Sequence, residues 1–349
     1  PPTGVVTAGA PFAASGTGTL YYTLDGTDPC RADGGVASNA LVYAGPAAVP
    51  TTSLVTVRAL AGTNWSGPAT ALYLVDEAFA AAGRLTGFRR WGTGHIHASY
   101  VAADTRGTRY LLQRINTRVF SDPPALMAHL ERVLAHLARK AAPAEARRRV
   151  LTLVPTRDGR ALFRDAGGGY WRTFLFIENT VILETVTAPH QAEQAAMAFG
   201  RFLRELADLP REGLYEPLPH FHDTPRRLAD LAEAAAADTH GRAGRAAAEI
   251  RFALERTTAA AELEALRQAG QLPERITHND TKLNNILFNE ATGEALCVTD
   301  LDTVMPGLAA YDFGDLVRTA AAAAPEDERD LNRIAVVLPV FAALARGYL

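Results

Sequence analysis

One stretch of the chain, Thr277 to Asp315, carries the polar pattern that decides the fold: T-H-N-D-T-K-L-N-N-I-L-F-N-E-A-T-G-E-A-L-C-V-T-D-L-D-T-V-M-P-G-L-A-A-Y-D-F-G-D. It opens with His278 and Asp280, and Asn285 follows shortly after that aspartate. An apolar run, which predicts a strand, then leads directly to Asp300. The order of these polar residues around a strand is more informative than any one of them.

Phosphoryl transfer from ATP needs such a set of groups. One carboxylate orients or deprotonates the attacking hydroxyl, while an amide and a second carboxylate hold magnesium on the phosphates. Magnesium prefers oxygen ligands and usually takes only one or two carboxylates from protein. The spacing H-x-D-x-x-x-x-N, followed by an apolar strand and x-D, is that of the catalytic loop and metal-binding strand of kinase-like phosphotransferases. Helix caps and turns explain single Asp or Asn residues, but they do not explain the ordered set.

The segments H-N-D-T-K-L-N-N-I-L, V-T-D-L-D-T-V-M-P-G and Y-D-F-G-D resemble the aminoglycoside-phosphotransferase-like kinases, and within them the bacterial N-acetylhexosamine 1-kinases. The resemblance extends over residues 79–349. It implies an α+β, bilobal protein-kinase-like fold in a cytoplasmic enzyme that uses ATP and Mg²⁺. The implied reaction transfers the γ-phosphate to a small sugar acceptor, at the anomeric hydroxyl of GlcNAc or GalNAc.

The same resemblance implies a role for each polar residue of the stretch. Asp280 matches the catalytic base, and His278 matches the residue that braces the catalytic loop. Asn285 and Asp300 match the magnesium ligands, and Asp302 is expected to assist them as a further carboxylate.

Two upstream segments are candidates for nucleotide binding. Gly92 and Gly94 lie between two predicted strands, where glycines let a backbone approach phosphates closely. The next predicted strand, 110–116, corresponds to the kinase strand that carries a phosphate-binding lysine, but it contains no lysine. Gln113 or Arg114 would take that role. Adjacent strand residues point to opposite faces, so only one of the two can face the nucleotide.

Composition limits the other function classes. The chain has 349 residues, enough for two or three domains, and a formal net charge of −3. That charge gives no electrostatic reason to expect a nucleic-acid or anionic-membrane partner. No apolar run is long enough to predict a membrane span. The spacing of Cys30 and Cys297 suggests neither a zinc site nor a disulfide framework, and Cys297 is expected to be a small buried hydrophobe.

Residues 1–76 differ from the rest, with short β-prone runs between Gly-, Thr- and Ser-rich turns, and they predict a small all-β sandwich. They resemble the module at the C-terminal ends of chitobiase and β-hexosaminidase-type proteins, mostly an accessory module in that family. Tyr21, Tyr22 and Trp65 could stack on a sugar, but core and interstrand roles are favoured. The segment has its own apolar set, so we expect it to be separable from residues 77–349.

The kinase segment is expected to consist of a small lobe over residues 77–178 and a helical lobe over 179–349. Apolar periodicity and composition predict helices over 123–140, 189–209, 224–236, 241–268, 312–323 and 327–346. The resembling family has further C-terminal helices, so C-terminal truncation is also expected. Two alternatives stay open: another acceptor, such as an aminoglycoside, choline or homoserine, or a catalytically inactive carbohydrate-binding fusion or fragment.

Overall fold

The computed structural model describes residues 4–6, 9–50, 52–75, 79–80, 84–92, 96–165, 167–324 and 328–349. Gly94 and the domain boundary predicted at 76/77 lie outside these residues. The chain divides into two compact units, one formed by 1–131 with 151–178 and the other by 132–150 with 179–349. Among the helices in the described ranges, none is long and apolar enough to cross a membrane.

The first part of the first unit is built from short strands and is here called the N-terminal module, the described residues of 4–75. Its strands are β1 Gly4–Val6, β2 Ala10–Phe12, β3 Thr19–Thr23, β4 Leu41–Val42, β5 Ala47–Val49, β6 Ser53–Ala61, β7 Asn64–Trp65 and β8 Ala69–Val75. One sheet has the order β1-β8-β6-β3-β4, with β7 paired to β6, and β2 pairs with β5 in a second sheet.

An apolar cluster packs between these two sheets of the N-terminal module. It contains Phe12 and Val49 from the small sheet and Val55, Val57, Ala71 and Tyr73 from the large one. The ring of Tyr22 meets that of Phe12 edge-on at 5.1 Å, and Tyr21 lies 5.5 Å from Trp65. These contacts agree with core and interstrand roles for the aromatic residues.

The second part of the first unit is an antiparallel five-stranded sheet. An α-helix comes between the third and fourth of its strands in the sequence. Its strands have the order β12-β13-β11-β10-β9. The elements are β9 Leu85–Arg90, β10 Ala98–Asp104, β11 Arg109–Arg114, α1 Pro123–Lys140, β12 Phe163–Arg164 and β13 Tyr170–Leu175. Helix α1 has the predicted bounds, and its C-terminal residues belong to the second unit.

One face of the five-stranded sheet packs against the N-terminal module. Tyr100, Leu112 and Trp171 from the sheet share an apolar cluster with Leu54 and Leu72 of the module. Leu72 is only 2% exposed. The expectation that each segment has a separate apolar set is therefore incomplete, because the module has its own cluster and also covers one face of this sheet.

The second unit is mainly helical. Its helices are α2 Ala146–Arg149, α3 Pro189–Glu205, α4 Thr224–Ala237, α5 Ala247–Leu254, α6 Thr257–Gln268, α7 Ala309–Ala320 and α8 Leu338–Tyr348. Its strands are β14 Thr180–Val181, β15 Arg275–Thr277, β16 Ile286–Asn289, β17 Ala295–Val298 and β18 Met305–Gly307. Strands β14, β16 and β17 form one antiparallel sheet, and β15 pairs with β18. Cys297 is buried on β17 as predicted, and burial raises the pKa of its thiol to about 12.

Two helix predictions were wrong in their bounds. The helix predicted over 241–268 is broken between α5 and α6, where the Thr257 hydroxyl donates to the Leu254 carbonyl. The helix predicted over 327–346 begins only at Leu338. Pro339 occupies its first turn, the place in a helix where a residue without an N–H is tolerated.

Helices α3 and α8 approach each other at two glycines. A Cβ on Gly200 would lie 2.6 Å from the Tyr348 carbonyl oxygen, and one on Gly347 would lie 2.3 Å from the Glu193 carbonyl oxygen. Such distances exclude larger residues unless the backbone moves. This close packing fixes α3, which carries Phe199 and Phe202, the two aromatic residues that contact His278.

Candidate active site

The loop that follows β15 carries most of the predicted site residues, and strand pairing sets both of its ends. Thr277, the last residue of β15, pairs with Met305 of β18. The loop then runs through a short 3₁₀ turn, Leu283–Asn285, into β16. The backbone N–H of Thr299 donates to the Asn285 carbonyl at 2.8 Å. This bond brings the end of the loop beside the residue that precedes Asp300.

His278 is fully buried and connects the catalytic loop to that same strand end. Its ring lies 5.3 Å from Phe199 and 5.7 Å from Phe202, both on α3. Nε2 is 2.8 Å from the Thr299 carbonyl oxygen, so this nitrogen donates. Nδ1 then accepts from the backbone N–H of Asp280 at 3.3 Å. This arrangement is what a residue that braces the loop needs.

The buried carboxylate of Asp312, at the start of α7, holds the backbone of the loop. Its Oδ2 accepts from the His278 N–H at 3.0 Å, and its Oδ1 accepts from the Asn279 N–H at 2.7 Å. The Thr281 hydroxyl donates to the Asp312 carbonyl at 2.5 Å. Burial raises the pKa of Asp312 to about 6, against the lowering effect of His278 and of the two backbone hydrogen bonds.

Asn279 takes a left-handed backbone conformation, with φ of 66°. Few residues other than glycine adopt this region, although Asn is among those that do. Its side chain donates to the Thr303 carbonyl at 3.0 Å and accepts from the Thr277 hydroxyl at 3.0 Å. A Cβ on Gly307 would lie 2.4 Å from that hydroxyl oxygen, so this position requires glycine. The turn before Asp280 is thus fixed by contacts on several sides.

Asp280 and Asn285 are in direct contact. The Asn285 amide nitrogen donates to the Asp280 backbone carbonyl at 2.8 Å and to its carboxylate Oδ2 at 3.1 Å. The other carboxylate oxygen, Oδ1, lies 2.9 Å from the Lys282 ammonium. Because the amide nitrogen faces Asp280, the amide oxygen of Asn285 is the atom that can bind a cation.

Asp300 and Asp302 follow β17, and their carboxylate oxygens lie within 4.8 Å of each other. Asp300 is exposed, whereas Asp302 is 1% exposed. Asp300 has φ of 55°, a strained conformation that tends to occur at functional sites. Two carboxylates and the Asn285 amide oxygen form the oxygen-rich ligand set that magnesium prefers. The residues present therefore fit a magnesium site.

The hydrogen bonds by which Asp312 and His222 hold the loop backbone were not predicted from the sequence. A signal was present for Asp312, because it shares the buried face of α7 with Leu316 and Ala320 at helical spacing. An acidic residue on such an apolar face needs hydrogen-bond donors. No comparable signal existed for His222.

His222 lies beside the catalytic loop and lines a cavity of about 250 Å³. Its Nε2 is 2.8 Å from the Asn279 carbonyl oxygen, and its ring lies 5.0 Å from that of Tyr311. His222 therefore contacts the backbone of the residue that precedes Asp280.

The described candidates for nucleotide binding, Gly92, Gln113 and Arg114, lie in the first unit. Gly92 has φ of 74°, a conformation that favours glycine. Gln113 and Arg114 lie on opposite faces of β11, as the alternation requires. Arg114 donates to the Asp25 carbonyl of the N-terminal module at 3.0 Å and lies 4.0 Å from Asp165. Arg114 thus belongs to the face covered by the module.

Comparison with known proteins shows which families and solved structures the chain resembles. Residues 87–344 match the model of the phosphotransferase enzyme family (APH), and residues 12–68 match the model described as Fn3 associated. A solved amicoumacin kinase, in complex with AMP-PNP and Ca²⁺, is similar at 12% identity and a TM-score of 0.50. That match covers 75% of this chain and 71% of the other.

Two further solved structures are similar. A microcompartment-associated aminopropanol kinase matches at 17% identity and a TM-score of 0.47, over 77% of each chain. An ethanolamine kinase of Plasmodium vivax matches at 16% identity and a TM-score of 0.45, over 75% of this chain and 71% of the other. The family match, together with the amicoumacin kinase structure, confirms the predicted kinase-like α+β fold class. The predicted use of ATP and Mg²⁺ agrees with the same matches.

Proposed function

Because the chain belongs to the phosphotransferase enzyme family, we propose that it is a small-molecule kinase that transfers the γ-phosphate of ATP to a sugar hydroxyl. The acceptor we propose is the anomeric hydroxyl of GlcNAc or GalNAc. One observation carries the proposal: the Asp280 carboxylate contacts Asn285 at 3.1 Å, and Asn285 is bonded to the strand end that carries Asp300.

Each of these residues has a role in the proposed reaction. Asp280 orients the acceptor hydroxyl and takes its proton as the new O–P bond forms and ADP leaves. The amide oxygen of Asn285 and the carboxylate of Asp300 would hold magnesium, and Asp302 would support them. Bound magnesium neutralises the charge that develops on the phosphates. His278 keeps the loop and the metal-binding strand end in register through its two ring nitrogens.

The choice of an N-acetylhexosamine rests on the catalytic-stretch motifs, which resemble the bacterial N-acetylhexosamine 1-kinases. A cytoplasmic location is part of this proposal, because ATP is scarce outside cells. The N-terminal module is proposed to be an accessory domain, since its residues include no recognisable phosphate- or magnesium-binding motif.

A second acceptor class is favoured by the cavity beside His222. Its lining includes the acidic residues Glu216, Asp223, Glu264 and Glu274. Arg267 pairs with Glu264 at 2.5 Å and with Glu274 at 3.2 Å. The lining nevertheless contains more acidic than basic groups, which attracts a cation. An amine-bearing alcohol or an aminoglycoside is therefore the alternative acceptor.

The test is a panel assay of the whole chain with ATP, Mg²⁺ and one candidate acceptor per reaction, followed by ³¹P NMR of the product. GlcNAc, GalNAc, choline, ethanolamine and an aminoglycoside form the panel, and the Asp280→Asn variant is the control for contaminating kinases. A sugar 1-phosphate from GlcNAc or GalNAc supports the proposal. Transfer only to an amine-bearing acceptor selects the second class, and no transfer to any acceptor favours the inactive carbohydrate-binding alternative.

A further inference from the structure

One side of helix α5 borders a cavity of about 640 Å³. The residues that line this cavity all come from one continuous stretch, the 3₁₀ turn Ala243–Ala246 and α5 Ala247–Leu254 with the residue that follows it. They recur three or four positions apart, which places them on one side of a helix. This surface is here called the α5 face, and it consists of Ala243, Gly244, Ala247, Ile250, Arg251, Leu254 and Glu255.

The α5 face is mostly apolar and belongs to a helix that buries none of its residues. Ile250 and Leu254 are only partly buried, and Ala247 is exposed. A helix of 8 residues is marginal in water by itself, so packing of its apolar side has to supply most of its stability. Helices α4 and α6, its neighbours in the sequence, also bury no residue. An apolar face on so thinly packed a group of helices indicates an interaction surface.

Two opposite charges lie on the α5 face, about one helical turn apart. Arg251 and Glu255 are spaced for pairing with each other, but neither side chain has an ion-pair partner within the described part of the chain. Their order is the less favourable one, because a glutamate pairs better with a basic residue that follows it along the helix than with one that precedes it. On α6 the favourable order occurs, and there Glu264 and Arg267 pair at 2.5 Å. Among the described residues, both charges of the α5 face are thus available to another molecule.

We propose that the α5 face binds the α5 face of a second copy of this chain. In a dimer with two-fold symmetry both copies use the same surface, and with the axis perpendicular to α5 the two helices run antiparallel. Arg251 of one copy then faces Glu255 of the partner subunit, and symmetry forms the same ion pair a second time. Ile250 and Leu254 of both copies lie between the two ion pairs and are removed from water. This self-complementary arrangement of charges is the reason to choose a second copy over a different protein, and it does not depend on the proposed kinase function.

Analytical ultracentrifugation of the whole chain tests the proposal. Over concentrations from about 1 to 200 µM, the average mass should rise from that of one chain towards that of two, because association follows mass action. Ile250→Asp should weaken the dimer by about tenfold or more, since it places a charge in the apolar centre of the interface. Phe252→Ala is the matched control. Phe252 is 58% exposed on the same helix, but its ring packs under the Arg256 guanidinium and lies outside the α5 face, so association should stay unchanged.

Charge reversal tests the antiparallel pairing. Arg251→Glu places like charges opposite each other at both symmetric contacts, and so does Glu255→Arg. Each variant alone should therefore dimerise about tenfold more weakly, or less, than the unaltered chain. An equimolar mixture of the two variants should associate again, with a dissociation constant within about threefold of the unaltered value, because every contact between the two different variants joins opposite charges. A mixture that stays as weak as the separate variants would overturn the proposal.

The remaining outcomes are also decisive. A chain that stays monomeric over this range of concentrations contradicts the proposal and leaves the α5 face to a different partner. A dimer that neither Ile250→Asp nor the charge variants weaken has its interface elsewhere, which contradicts it equally. Circular dichroism shows whether each variant is folded. If Ile250→Asp is not, Ala247→Glu, at an exposed position of the same face, replaces it with the same expected loss of association.

Discussion

The catalytic loop and the five-stranded sheet are held in place by different forces. Buried polar groups hold the loop: Asp312 accepts two of its backbone N–H groups, and His278 donates to the neighbouring strand end. An apolar layer holds the sheet, with Leu72 of the N-terminal module packed in the same cluster as Trp171. Changes in the loop should therefore affect catalysis more than stability, and changes under the sheet should do the reverse.

The largest expected effect is on the rate of phosphate transfer, when the candidate base or a candidate magnesium ligand is replaced. Asp280→Asn and Asp300→Ala should each lower the rate of phosphate transfer by about three orders of magnitude or more, because positioning and charge neutralisation supply most of this catalysis. A coupled ADP-release assay measures the rate, and thermal unfolding should show an intact fold. Turnover near that of the unaltered enzyme in either variant would remove that residue from its proposed role.

The sheet side of the comparison is tested by Leu72→Ala. Leu72 is 2% exposed, and truncating a buried leucine typically costs about 2–5 kcal/mol. The free energy of unfolding, measured by urea denaturation, should fall by that amount, while the kcat of the folded variant should change little. Leu41→Ala on β4 is the matched control, since Leu41 is 48% exposed and should cost less than about 0.5 kcal/mol. Equal losses in the two variants would mean that the module does not stabilise the sheet through Leu72.

The titration of Asp312, which holds the loop backbone, should make the stability of the folded chain depend on pH. Its pKa is raised to about 6 in the folded chain, mainly by burial, from an ordinary value of 3.8. The folded state therefore binds more protons than the unfolded state between pH 4 and 6. The contribution of this group to stability is largest below that window and is lost as the pH rises through it.

Comparison with Asp312→Asn isolates this contribution. The free energy of unfolding of the unaltered protein should decline between about pH 4 and 6 more steeply than that of the variant. The variant should also lose about tenfold in kcat at pH 7, because an amide group accepts only one of the two loop N–H bonds. Parallel pH profiles for the two proteins would show that Asp312 is not the titrating group.

The sequence was a good guide to the loop because each residue of the motif makes its own contact there. His278 and Asn285 both bond to the backbone of Thr299, which precedes Asp300, and both contact Asp280. The apolar run of β17 predicted the strand that ends at this point. Their chemical roles are still proposals, but their proximity follows from local spacing.

The sequence was a poorer guide to the sheet, because the register between strands that are distant in the chain decides which of its residues become neighbours. Nothing local shows that Arg172 lies beside Gln113, or that Arg114 bonds to the Asp25 carbonyl of the module. The break between α5 and α6 was also missed, because residues 241–268 have strong helix propensity throughout and propensity is a weak guide to where a helix ends.

The smallest expected effect concerns His222, which contacts the loop from outside. Its Nε2 donates to the Asn279 carbonyl at 2.8 Å, and its ring packs against Tyr311. His222→Phe keeps the ring and removes one hydrogen bond, typically a loss of about 0.5–1.5 kcal/mol. Because that bond positions the residue before Asp280, kcat should fall by about two- to tenfold while the KM for ATP stays unchanged. His240→Phe, at an exposed position after α4, is the control that should leave both constants unaltered. A rise in the acceptor KM with unchanged kcat would instead assign His222 to acceptor binding in the neighbouring cavity, and the loop would then be held by the buried groups alone.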